Sequence, residues 1–174
     1  MYQILVLKMI EIFLCIGAIA YLAACLFLLA WQRRIIFVPS NVLEATPQEL
    51  GLKHEEIWLT VNQVRLHGWW LDHEIQSDNQ NVLLYLHGNG ENIASNLNQA
   101  KRFKQLGFSV FLIDYRGYGL SEGEFPSEAQ VYEDSEAAWN FLIKQKNILP
   151  EKIIIYGHSL GGAIALNLAI NHPD

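Results

Sequence analysis

The chain has 174 residues, of which 51% are hydrophobic and 17% charged, and a formal net charge of −6. This length suits one ordinary domain, and the acidic balance excludes the basic field that a nucleic-acid-binding surface needs. Both cysteines, Cys15 and Cys25, fall in an apolar N-terminal segment, so no disulfide framework holds the remainder.

From Ile12 to Trp31 there are twenty consecutive residues without a charge. As a helix they span about 30 Å, the thickness of a bilayer's hydrocarbon core. Trp31 at the end of the run, with Arg33 and Arg34 beyond it, supplies interfacial anchors. A cleaved signal peptide fits less well, because no small-residue cleavage site precedes a polar start. Leu22-Ala23-Ala24-Cys25 resembles a lipobox, but cleavage there leaves the apolar start Cys25-Leu26-Phe27-Leu28-Leu29. We therefore read residues 1–11 as a short flank, 12–31 as a single-pass signal-anchor helix and 32–55 as a connector. Residues 56–174 form the globular domain. Arg33 and Arg34 outweigh Lys8, which places that domain on the cytoplasmic side.

In the globular part, Glu56–Val61 and Val64–Leu71 are expected to be strands joined by a turn at Asn62-Gln63. Val82–Leu86 is an apolar run ending in His87-Gly88-Asn89-Gly90. A helix from about residue 92 to 106 follows, with Gly107 just past its end. Val110–Ile113 is the next buried strand and leads into Asp114-Tyr115-Arg116-Gly117-Tyr118-Gly119. Ser127 and Gln130 are spaced as a capping box ahead of a further helix. Ile153–Tyr156 is the last strand. Apolar strands alternating with helices predict a mostly parallel sheet covered on both faces.

Gly157-His158-Ser159-Leu160-Gly161 follows that last strand and opens a helical pattern at Ala163, Leu166 and Ile170. A serine on a tight strand-to-helix turn exposes its hydroxyl, and flanking glycines let the two backbones pass closely. The first N–H groups of the helix then face a developing oxyanion. A second match, Gly119-Leu120-Ser121-Glu122-Gly123, precedes Glu124-Phe125-Pro126 in place of a helix, so Ser121 is expected to be a loop residue.

Together the three motifs resemble those of the α/β-hydrolase superfamily, and in particular its membrane-anchored serine hydrolases. The fold implied is the N-terminal part of an α/β-hydrolase sheet, preceded by one transmembrane helix. The resemblance implies Ser159 as nucleophile, with the backbone N–H groups of Leu160 and Asn89 as the oxyanion hole. Gly157, Gly161, His87 and Gly88 would shape the site. It also assigns Asp114 to loop organisation with Arg116.

The other histidines are not placed for proton transfer. His158 is expected to pack or line the pocket, and His87 to brace the oxyanion loop. His67 and His73 are expected to be surface or satisfied core residues, and His172 lies too far along the last helix. No spacing of histidines or cysteines suits a metal, and no glycine-rich loop suits a phosphate or a nucleotide cofactor.

In this superfamily the triad acid and histidine follow the nucleophile in the chain. They are expected beyond Asp174, which makes the chain a fragment. The expected activity is hydrolysis of a carboxylic ester, thioester or amide through an acyl-enzyme, on a small-molecule or lipid-like acyl substrate. The alternative is a non-catalytic membrane protein of the same fold that binds a ligand or partner.

Overall fold

The structure is a computed structural model that describes residues 2–73 and 81–173; Asp174, the expected limit of the domain, lies outside them. The chain divides into two units at Ile36/Phe37. The first is one helix, α1 (Tyr2–Ile36), which extends past both ends of the charge-free run and buries none of its side chains. It is long and apolar enough to cross a membrane. At its C-terminal end Trp31 stacks on Phe27 at 5.6 Å, and the Arg34 guanidinium lies 5.6 Å from the Trp31 ring.

The second unit is built on a five-stranded sheet: β1 (Glu55–Val61), β2 (Val64–Leu71), β3 (Val82–Leu86), β4 (Ser109–Ile113) and β5 (Ile153–Gly157). The spatial order is β1-β2-β4-β3-β5. β1 and β2 form an antiparallel hairpin, β2 runs antiparallel to β4, and β3 is parallel to both β4 and β5. The hairpin register brings Val61 opposite Val64, leaving Asn62 (φ 48°) and Gln63 (φ 69°) as a two-residue turn. Two positive φ values give that turn the twist the strands need.

Three helices cover the sheet: α2 (Leu97–Gln105), α3 (Glu128–Lys144) and α4 (Leu160–Asn171). Every residue of β3 and β4 is buried, as the unbroken apolar runs required. Their side chains alternate between two cores. Leu84, Leu86, Phe111 and Ile113 meet Ala138, Leu142, Ile164 and Leu168 of α3 and α4 on one face. On the other face Leu83, Tyr85, Val110 and Leu112 meet Leu97 and Ala100 of α2. The Ser127–Gln130 capping box forms in full, which contributes about 1 kcal/mol to helix stability.

Two local features differ from the sequence reading. The helix expected from residue 92 begins as a 3-10 turn at Ile93–Asn96 and becomes α-helical only at Leu97. The cause is local competition. Asn92 Oδ1 accepts the Ala94 N–H at 3.0 Å, and Asp114 Oδ1 takes the Ile93 N–H at 2.9 Å, so the first turn is tightened. The segment read as a connector also carries structural weight, since Phe37 and Leu52 are buried in the two cores. Asn92 Nδ2 donates to the carbonyls of Ser40 and Val42.

Candidate active site

β5 and α4 meet at Ser159, which has φ 51° and ψ −115° and is exposed. A non-glycine residue there holds strain of about 1–3 kcal/mol, and the surrounding backbone enforces it. His158 N–H bonds the Leu86 carbonyl at 3.1 Å, Gly161 N–H the His158 carbonyl at 2.9 Å, and Gly162 N–H the Ser159 carbonyl at 2.9 Å. A Cβ on Gly157 would collide with the Gly161 main chain, and one on Gly161 with the carbonyl oxygens of Leu86 and His87. The glycines therefore let α4 rest directly on the carboxyl end of β3. Gly161→Ala is expected to lower stability by about 2 kcal/mol or more, as overpacking against unyielding backbone does; chemical denaturation measures it.

Leu160 is the first residue of α4, and its N–H is one of the first-turn donors that a helix leaves without an internal acceptor. The His87–Gly90 loop lies beside it. Asn89 Oδ1 accepts from Val38 N–H and from the Tyr118 hydroxyl, each at 2.8 Å. Burial pushes the Tyr118 phenol up to about 12, so it stays protonated as a donor. The His87 ring is fully buried, its Nδ1 donates to the Gly88 carbonyl at 2.7 Å, and its own carbonyl accepts from Tyr115 Oη at 3.1 Å. Burial lowers the His87 pKa, and the nearby Asp114 charge only partly offsets this.

Glu91 ties the loop to the elbow. Its Oε1 accepts Gly88 N–H at 3.0 Å and lies 3.2 Å from His158 Nδ1. His158 thus points its half-exposed ring at Glu91 and not at the serine hydroxyl. No hydrogen bond joins Ser159 Oγ to a histidine among the described residues. His172 Nε2 is held by Glu136 Oε2 at 2.9 Å, with its ring stacked on Trp139. Nor do the described residues contain a cluster of histidine, cysteine and carboxylates suited to a metal ion.

Asp114 and Arg116 organise their surroundings separately and do not pair with each other. Arg116 turns to α3, where Nη2 and Nε contact Asp134 Oδ1 at 2.6 and 3.0 Å, and Nη2 also reaches Glu133 at 3.1 Å. Asp114 is instead buried between His67 and His87. His67 is not a satisfied core histidine: it is fully buried, and its Nδ1 has no hydrogen-bond partner. Ser121, in the second glycine-flanked match, is a loop residue with a structural task. Its hydroxyl donates to the Asp114 carbonyl and accepts His67 N–H, each at 2.8 Å. Sequence reasoning missed Glu56, Tyr118 and Asp134. Their partners are remote in sequence, and only Tyr118 lies within a recognised motif.

An exposed serine on a strained turn after a parallel strand, with a helix N-terminus behind it and a braced loop beside it, defines an α/β-hydrolase site. The sequence pattern of the family described as serine aminopeptidase, S33, matches residues 77–174, and the chain belongs to that family of α/β hydrolases. It is 35% identical to the α/β hydrolase domain-containing protein WAV2 of Arabidopsis thaliana, over 87% of this chain and 51% of that protein. Protein bem46 of Schizosaccharomyces pombe is 34% identical over 85% of this chain and 52% of its own length. The chain thus spans about half the length of these curated relatives. Among solved structures, an α/β hydrolase from Vibrio vulnificus superposes with a TM-score of 0.61 at 32% identity, covering 70% of this chain and 41% of that one. A Pyrococcus furiosus esterase also gives 0.61, at 25% identity, covering 76% and 50%.

Proposed function

We propose that the chain carries the nucleophile and oxyanion hole of a membrane-anchored serine hydrolase acting on carboxylic esters, thioesters or amides. Ser159 Oγ attacks the acyl carbonyl carbon, and its proton passes through a histidine to the leaving group. Water then cleaves the acyl-enzyme and regenerates the serine. The N–H groups of Leu160 and Asn89 stabilise the tetrahedral oxyanion. The histidine and its carboxylate partner come from polypeptide beyond Asp174. α1 crosses the membrane once, with the globular unit on the cytoplasmic side, which brings lipid-like acyl substrates within reach.

The observation that carries this reading is the backbone of Ser159, since a strained, exposed serine is retained where its hydroxyl is used. The similarity to an esterase supports ester chemistry. The relatives' greater length supports a triad completed elsewhere in the protein.

The test is fluorophosphonate labelling of membranes that express the native gene, after an alkaline carbonate wash. The expected result is a labelled protein in the washed pellet, with the adduct mapped to the Ser159 peptide. Label in the supernatant would remove the anchor from the proposal. A folded protein that takes up no label would remove catalysis and leave a ligand- or partner-binding membrane protein.

A further inference from the structure

Buried polar atoms that the proposed reaction does not use converge on Asp114. Three buried atoms have no hydrogen-bond partner among the described residues: His67 Nδ1, His87 Nε2 and Asp114 Oδ2. All three belong to one cluster. Asp114 Oδ1 accepts the Ile93 N–H at 2.9 Å and faces His87 Nε2 at 3.5 Å. His87 and Ile93 are the two ends of the loop that carries Gly88 and Asn89. A single buried carboxylate therefore anchors the Ile93 end of the candidate oxyanion loop by a hydrogen bond and lies against the His87 ring at the other end, where His87 Nδ1 donates to the Gly88 carbonyl.

A carboxylate this deeply buried needs a compensating positive charge. His87 is a poor source, because burial favours its neutral form. His67 is the better one. Its Nδ1 lies 3.7 Å from Asp114 Oδ2, and its Nε2 lies 2.5 Å from Glu56 Oε2. Burial alone would lower the His67 pKa, but the two carboxylates outweigh it and raise the pKa. The charged groups facing His67 are thus Glu56 on β1 and Asp114 after β4. His54 lies beyond Glu56 at 3.8 Å, His87 beyond Asp114, and Arg65 beyond the Trp58 ring that packs on His67. Glu56 Oε1 also accepts from Trp69 Nε1 at 2.9 Å, which fixes the carboxylate toward the histidine.

We propose that Glu56, half-exposed on β1, is a positioning residue for the oxyanion loop and acts through His67 and Asp114. The inference rests on reading this loop as an oxyanion hole. Glu56 holds His67 in its imidazolium form, and the imidazolium faces the buried Asp114 carboxylate. Asp114 in turn holds the Ile93 N–H, and with it the loop that carries Gly88 and Asn89. The sign follows from the raised His67 pKa. The support is present at low pH and is lost as pH rises through that pKa. Without the Glu56 charge the loss comes at lower pH.

The experiment compares wild type, Glu56→Gln and Glu56→Asp in the full-length protein. It measures the fluorophosphonate acylation rate from about pH 6 to about pH 9, with the His67 ring and Gly88 amide followed by NMR in detergent. Glu56→Gln is expected to acylate several-fold more slowly at the alkaline end, because its His67 loses the imidazolium at lower pH, with probe affinity unchanged. Glu56→Asp, which keeps the charge, is expected to restore most of the rate. Identical pH profiles for wild type and Glu56→Gln would overturn the proposal. A wild-type protein that takes up no probe overturns the hydrolase reading instead, and the Gly88 amide then decides alone. A Gly88 shift that tracks the His67 titration, and moves to lower pH in Glu56→Gln, supports the coupling; one that follows neither refutes it.

Discussion

Ser159→Ala is expected to abolish fluorophosphonate labelling and to lower kcat/KM on an activated ester by about 10⁵-fold or more. Losing the nucleophile of a serine hydrolase removes the covalent route and leaves only binding and oxyanion stabilisation. KM is expected to change little, because the hydroxyl contributes mainly in the transition state. Stability should separate two replacements that are equally inactive. Alanine at φ 51° and ψ −115° carries the same backbone strain as serine, so Ser159→Ala should unfold like the wild type. Ser159→Gly relieves the strain and is expected to be about 1 kcal/mol more stable. Denaturant titration of both variants, beside the kinetics, checks the pair of effects. An active Ser159→Ala protein would defeat the proposed mechanism outright.

Asp134→Ala is expected to cost about 3–5 kcal/mol, because it leaves the Arg116 guanidinium buried without its main partner. The Arg116 side chain is only 6% exposed and that of Asp134 is fully buried. Burial raises the Asp134 pKa even though Arg116 opposes it, so the pair is costly to bury and costlier still to break. Asp134 also accepts the Arg116 backbone N–H at 2.9 Å, and that donor would be stranded too. Glu133, at 3.1 Å from Nη2, compensates only from the solvent side. The double variant Arg116→Met/Asp134→Leu should recover much of the loss, short of the orphaned N–H. Urea unfolding of the three proteins gives the comparison. A single variant as stable as the wild type would show that Arg116 finds solvent.

The contrast between Ser159 and Asp114 marks what was legible in the sequence. Ser159 is announced by its immediate neighbours, because Gly157, Gly161 and the flanking apolar runs are all local. The Asn62-Gln63 turn and the Ser127–Gln130 cap are equally local and form as expected. Asp114 was harder to read. Its neighbour Arg116 offers a charge two residues away, but the chain between them turns so that Arg116 meets α3 and Asp114 meets two histidines. The Glu56–His67 pair depends on hairpin register, and the His87–Asp114 contact on two strands ending side by side. Neither juxtaposition has a periodicity or spacing that exposes it. The 3-10 start after Asn92 was hidden for the same reason, since the carboxylate that claims Ile93 N–H arrives from β4.

The close seating of α4 on β3 has a consequence for how this site can change over evolutionary time. Gly161 rests on the carbonyl oxygens of Leu86 and His87, and Gly157 on Gly161, so main chain against main chain sets the place of the serine. Side chains around the opening, such as those of His158 and Glu91, take no part in that contact. A change at either leaves the serine backbone where it is, although a change at Glu91 also releases the Gly88 N–H that it holds. Under the proposed hydrolase reading, the architecture separates the power to react from the choice of what reacts, and a lineage can explore new substrates without rebuilding its chemistry.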